Sequence, residues 1–234
     1  MNRVVTNIIR IIMDEFFPPV IRDSYWFMYP FYYIGYRGKN LHEVMHYKSL
    51  APHFTKEKYL QFYTNIDSVS RRRKTDLTEN QLRLILKSID NSTKYILDVG
   101  CGNGYLLQRV KKERPHIQVA GMDIVKKMQD DEIEFYKGNI TAMPFSDGQF
   151  DTVICTHTIE HILDLKSAIK ELERIAKKQL IIVTPSQRYF YYTLDEHINF
   201  FHKKEMVTSL FSYLKFTCKK INFDWVYVGN KDGL

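Results

Sequence analysis

At 234 residues, with 44% hydrophobic and 26% charged side chains, the chain is long enough to bury a sizeable core and has neither the bias of a disordered segment nor an internal repeat. Lysine and arginine exceed aspartate and glutamate by 34 − 27 = 7, which favours acidic neighbours such as phosphates, nucleic acid or an anionic membrane surface without naming one. No apolar run reaches the roughly 18 residues of a membrane span, and the isolated cysteines Cys101, Cys155 and Cys218 give no disulfide or zinc spacing, which points to reduced thiols in a cytoplasmic compartment.

The first stretch, VVTNIIRIIMDEFF, sets Val5, Ile8, Ile9, Ile12, Met13 and Phe16 at helical spacing, with Arg3 and Arg10 off that stripe. It lacks the continuous apolar region and cleavage site of a signal peptide. An amphipathic helix follows, which either packs on the protein or lies on a membrane surface; packing is the ordinary expectation. After Pro18-Pro19 comes SYWFMYPFYYIGYRG, dense in aromatics and interrupted by Pro30, Gly35 and Gly38, with no regular amphipathic pattern. Residues 1–76 are therefore read as a helical, aromatic-rich N-terminal cover, and 77–234 as the main domain. The basic run Arg71, Arg72, Arg73, Lys74 could meet an acceptor phosphate, a solvated helix entry being the default. Thr78 and Gln81 then have capping-box spacing ahead of Leu82, Ile85, Leu86 and Ile89.

From Tyr95 short apolar runs alternate with helical stretches: YILDV, LLQRVKK, VAGMDI, IEFYKG, DTVICTH, LKSAIKELERIAKK and LIIVTP. This alternation predicts an α/β fold with a mostly parallel sheet covered by helices on both faces. Leu165, Ala168, Ile169, Leu172, Ile175 and Ala176 form the clearest helical face, with Asp164 as its N-cap. A helix around 203–213 and two antiparallel strands, FTCKKI and DWVYVG, close the chain.

The strongest local signal is Asp98-Val-Gly100-Cys101-Gly102-Asn-Gly104, between an apolar strand and a helical pattern. Its glycines permit a tight turn and close approach of backbone to a ligand. The spacing is GxGxG, not the GxGxxG that seats a dinucleotide pyrophosphate, and an aspartate beside the turn repels a phosphate. It suits a ligand with an ammonium group. The segment ILDVGCGNGYL resembles the first motif of class I S-adenosylmethionine-dependent methyltransferases, of the type-11 kind. That resemblance implies a seven-stranded Rossmann-like sheet and S-adenosylmethionine as cofactor, its amino-acid end held by the acid and the glycine turn. Asp123, with Ile124, ends the second strand where the family binds the ribose hydroxyls. Asn139-Ile140 follows the third strand, where the family commonly has Asp for the adenine edge; the Asn amide still offers a hydrogen bond. Thr156 ends the fourth strand on the same side. Polar residues also end buried strands for structural reasons alone, but here three successive strands and the turn agree.

Methyl transfer from a sulfonium is an in-line displacement, and a hydroxyl acceptor also needs a general base. FDTVICTHTIEHILD offers His157, Glu160 and His161, spaced to share one helix face. HTIEH matches a zinc-peptidase string, but its place after a central strand rejects that reading. The segment resembles that of ubiquinone-biosynthesis O-methyltransferases, in which two acids and a His hold a divalent metal; His157 replaces the first acid, so the expectation is no metal, with His157, Glu160 and His161 the weak candidates. Glu160 and His161 can equally cap or orient the next helix. His197 is a rival base in RYFYYTLDEHINFF, whose aromatics Tyr189, Phe190, Tyr191, Tyr192, Phe200 and Phe201 suit either a lid and acceptor wall or core packing. PPVIRDSYWFMYPFYY resembles methyltransferases of bacterial surface-polysaccharide clusters, which implies O-methylation of a sugar or glycan precursor, phosphate-linked in some cases. A lipid or quinone-like acceptor, suggested by the first helix, and RNA, suggested by the charge, are the alternatives; no RNA-binding module is visible. A non-catalytic cofactor-binding partner subunit is the alternative outside the enzyme class.

Overall fold

The computed structural model describes residues 8, 12–13, 16–67, 72–213 and 215–231. The chain divides into two compact units, Met1–Asp76 with Gln187–Phe200, and Leu77–Ser186 with Phe201–Leu234. The second unit is a seven-stranded sheet, β1 Tyr95–Val99, β2 Gln118–Asp123, β3 Glu134–Lys137, β4 Phe150–Thr156, β5 Ala176–Pro185, β6 Lys215–Ile221 and β7 Asp224–Asn230. Their order is β3-β2-β1-β4-β5-β7-β6. Strands β1 to β5 pair in parallel, whereas β7 runs antiparallel to both β5 and β6. The order reverses between β1 and β4, which opens a crevice at the carboxyl ends of these strands.

Alternation along the central strands supplies a core on each face. Leu97, Val99, Val153 and Cys155 pack with Ala168, Leu172 and Ile175 on one side. Ile96 and Ile154 pack with Leu82, Ile85, Leu107 and Val110 on the other. The capping box expected at Thr78 and Gln81 starts the helix Glu79–Ser88, and Asp164 accepts from the Ser167 amide to start Leu165–Ile175. That helix stops one residue earlier than its apolar face suggests: Ala176 adopts extended geometry and opens β5. The last helix, expected around 203–213, is only Lys204–Thr208.

The first unit is helical and folds on its own core, in which Met28, Tyr32, Tyr36, Val44, Met45, Tyr47, Phe62, Tyr63 and Tyr192 are buried. Its helices are α1 Pro19–Arg22, α2 Tyr25–Gly35, α3 Leu41–Met45, α4 Tyr47–Leu50 and α5 Lys56–Asn65. The aromatic stretch with no amphipathic pattern is thus a helix, continuous through Pro30. The expected first helix falls mostly outside the described residues; of its stripe, Met13 is buried, and Ile8, Ile12 and Phe16 are exposed.

Residues Gln187–Phe200 leave the sheet after β5 and belong to the first unit, not to the 77–234 unit in which the sequence placed them. Hydrogen bonds hold them there. The Tyr36 hydroxyl donates to Glu196 at 2.7 Å, Lys48 Nζ donates to the Tyr191 carbonyl at 2.7 Å and to Thr193 Oγ1 at 2.6 Å, and the Tyr32 hydroxyl donates to the Thr193 carbonyl. Of the basic run, Arg71 lies outside the described residues, Arg72 pairs with Asp67 at 2.9 Å and Arg73 with Asp76 at 2.9 Å.

Candidate functional site

The glycine turn follows β1 and precedes the helix Tyr105–Glu113. Gly100, Gly102 and Gly104 have φ of +77°, +55° and +79°, the left-handed region that a Cβ disfavours. Two of them also have a neighbouring side chain where a Cβ would sit. A Cβ at Gly100 would come within 2.1 Å of Thr158 Oγ1, and one at Gly104 within 2.5 Å of Met128 Sδ. Gly102 differs, because nothing lies within 4 Å of its would-be Cβ. The turn is closed beneath and open at its centre, so a ligand can lie directly against the backbone there.

Two carboxylates flank this opening. Asp98, on β1, is 2% exposed, and its Oδ1 has no hydrogen-bond partner among the described residues. Burial first, and the charge of Asp123 second, raise its pKa from 3.8 to about 7. An unpaired buried carboxylate oxygen costs on the order of 1–3 kcal/mol unless a donor reaches it. A ligand ammonium is such a donor. Asp123 is arranged differently: its Oδ2 accepts from the Gly102 amide at 2.9 Å and its Oδ1 from the Val125 amide at 3.2 Å. Both oxygens keep a second lone pair, so the side chain is oriented by the turn and still able to accept from a diol.

The remaining expected cofactor residues sit along the same strand ends. Cys101 is buried, its thiol pushed up by burial and by Asp98, and it is held neutral under the turn. Ile124 is half-buried beyond β2. Asn139 is exposed after β3 and its Oδ1 accepts from the Thr141 amide at 3.0 Å, which leaves its NH₂ for a ligand; Ile140 is buried in the sheet core. Thr156 is half-buried at the end of β4, and its carbonyl accepts from the Thr158 hydroxyl at 3.0 Å. Two carboxylate acceptors and one amide donor fit an adenosine bearing an amino-acid tail.

His157, Glu160 and His161 do not share a helix. His157 has φ +50° and precedes a short 3₁₀ turn, Ile159–His161. The tight left-handed exit from β4 consumes the residues that a helix would need. The His157 ring instead lies between two buried acids, Nδ1 3.4 Å from Glu160 Oε1 and Nε2 3.6 Å from Asp224 Oδ2. Glu160 also accepts from Thr184 Oγ1 at 3.3 Å, and Asp224 from Gln81 Nε2 at 2.6 Å. This polar chain ties β4, β5, β7 and the helix Glu79–Ser88. Both ring nitrogens of His157 thus face carboxylates. His161 is half-buried. His197, in the other unit, is buried with Nδ1 2.7 Å from Gln187 Oε1.

Sequence reasoning missed Asp224, Thr158 and Met128. Asp224 opens β7 after Asn222, which has φ +58°, and an acid entering an apolar strand beside a turn was the available signal. Thr158 and Met128 carry none, since each matters only as the atoms that meet a glycine.

Residues 97–184 match the family model described as methyltransferase domain. Ajmaline N-methyltransferase of Rauvolfia serpentina is 33% identical over 106 residues, 40% of this chain and 36% of that one. Demethylmenaquinone methyltransferase of Thermotoga maritima is 23% identical over 108 residues, 44% of this chain and 47% of its own. The chain spans about half the length, or less, of curated relatives such as these. A solved SAM-dependent methyltransferase from Aquifex aeolicus shares the fold with a TM-score of 0.51 at 16% identity, over 76% of this chain and 99% of the other. The glycine turn, the two strand-end acids and strands β2 to β4 lie within the matched segment, and residues 97–184 carry the methyltransferase-domain pattern of the S-adenosylmethionine-dependent methyltransferases.

Proposed function

We propose that the protein transfers a methyl group from S-adenosylmethionine to a small-molecule acceptor, a hydroxyl of a sugar or glycan precursor being the acceptor class. S-adenosylmethionine supplies an electrophilic methyl on a sulfonium. The observation that carries the reading is the buried, unpartnered Oδ1 of Asp98 beside the open centre of the glycine turn. Asp98 receives the ammonium, Asp123 the ribose hydroxyls and Asn139 the adenine edge, while the backbone at Gly102 lies against the ligand. The general base for an acceptor hydroxyl is His161 or His197, with His157, set between two acids, the further candidate. No step is assigned to a metal.

The acceptor class rests on the resemblance of PPVIRDSYWFMYPFYY to methyltransferases of bacterial surface-polysaccharide clusters. A lipid- or quinone-like acceptor is the second reading, favoured by the exposed apolar side chains of the first unit.

Calorimetry with S-adenosylmethionine, its demethylated product and NAD tests the cofactor assignment. The first two are expected to bind and NAD is not; NAD binding together with no response to the methyl donor overturns the reading.

A further inference from the structure

Helix α2 is apolar on both of its faces. Met28, Tyr32 and Tyr36 are 1–2% exposed and enter the core of their unit. On the opposite side, Trp26, Pro30, Tyr33 and Ile34 recur at i, i+4, i+7 and i+8, and all are exposed; Arg37 follows just past the helix end. Trp26 is 81% exposed, Ile34 76% and Tyr33 54%. Val20, 80% exposed on α1, continues the apolar surface along the chain. Scattered exposed side chains need no account, but a helix face made of Trp, Pro, Tyr and Ile does.

A helix that is apolar all round is normally buried or spans a bilayer. Eleven residues rise only about 16 Å, against the roughly 30 Å of a hydrocarbon core. Such a helix can lie in the interface, and Trp and Tyr are the side chains that favour that depth. The charges at its end agree. Arg37, Lys39 and Arg72 all converge on one acid, Asp67, at 4.0, 4.0 and 2.9 Å, and Arg37 and Lys39 remain 65% and 67% exposed. Three cations on one carboxylate leave a net +2, and the one acid between residues 16 and 42, Asp23, is half-buried.

We propose that the exposed face of α2, with Arg37 and Lys39 at its end, docks the protein on an anionic lipid surface. Trp26, Tyr33 and Ile34 enter the headgroup boundary and the two cations meet lipid phosphates and carboxylates. A second copy of the chain is the poorer occupant, because a two-fold contact through this face sets the same cationic cluster against itself. The docking is independent of which acceptor is methylated.

Co-sedimentation of the full chain with phosphatidylcholine vesicles, with and without about 30% phosphatidylserine, tests it. Each basic residue is worth about fivefold in partition near such a surface. Binding to the anionic vesicles is expected, at least about tenfold stronger than to the neutral ones and weakened by salt. The double variant Trp26→Glu/Ile34→Glu is expected to lose it while S-adenosylmethionine binding and helical circular dichroism are kept. Arg37→Gln/Lys39→Gln is expected to lower anionic binding about 25-fold and leave neutral binding unchanged. Absence of wild-type binding, or binding undiminished in a folded Trp26→Glu/Ile34→Glu variant, overturns the proposal. So does a wild-type dimer in sedimentation velocity that this variant dissociates, which gives the face to a second copy.

Discussion

Asp98 concentrates the chemistry of the site in one side chain. Its raised pKa of about 7 comes from burial without a partner, so the free protein holds this group in tension near neutral pH. The sign follows from linkage: a carboxyl whose folded pKa is raised contributes stability that is present below pH 4 and lost as pH rises through 7. Cofactor affinity runs the other way, because an ammonium binds the ionised form. S-adenosylmethionine affinity is therefore expected to be level above pH 7 and to weaken between pH 7 and 5 by up to about tenfold per unit. Asp98→Asn is expected to bind more weakly and to lack that slope; calorimetry at pH 5.5, 6.5 and 7.5 reads both. The glycines were legible in the sequence because each answers a local demand, a left-handed backbone position. The separate reasons for the glycines were not. Gly100 is fixed by Thr158 and Gly104 by Met128, side chains from distant segments, and only Gly102 faces open space.

At the level of single elements, local signals fixed what local forces decide. The capping box at Thr78 and Gln81 and the Asp164 cap satisfy helix amides within one turn, and both formed as expected. The reading failed where a distant partner decides. The spacing of His157, Glu160 and His161 suits a helix, yet Glu160 and Asp224 hold the His157 ring on either side in a left-handed turn. The aromatic stretch that became α2 shows no periodicity because both faces are apolar, the condition under which the hydrophobic pattern loses its information. The His157 arrangement predicts a structural outcome. His157→Ala leaves two acids with 1% exposed side chains facing each other without the imidazole, a loss expected to cost about 2–4 kcal/mol in urea denaturation. Binding of S-adenosylmethionine per folded molecule is expected to persist. A fall in turnover of about 100-fold or more with stability unchanged gives His157 the role of base instead.

Across the whole chain, sequence proximity and folding unit part company at residues 187–200. The segment was read with the sheet because it lies between β5 and the last helix, but its hydrogen bonds run to side chains more than a hundred positions earlier. Long-range donors such as Tyr36 and Lys48 give no sign of this in a linear pattern. Lys48 makes the attachment testable. Burial lowers its pKa from 10.5 to about 7, against the opposing pull of Asp23, Asp195 and Glu196, and its amine still donates to Tyr191 and Thr193. Between pH 7 and 10.5 the unfolded chain binds more protons at this site than the folded one, so this group makes stability rise with pH across that window and level off below 7. The slope is expected to be on the order of 1 kcal/mol per pH unit at most. Lys48→Met removes the titrating group while keeping the aliphatic stem in place. Urea denaturation of wild type and variant at pH 7, 8 and 9 should then show the difference in stability growing with pH in favour of the wild type. A difference that stays constant over this range shows that Lys48 keeps its ordinary protonation in the fold, and the 187–200 segment is then held by a lysine that is charged throughout.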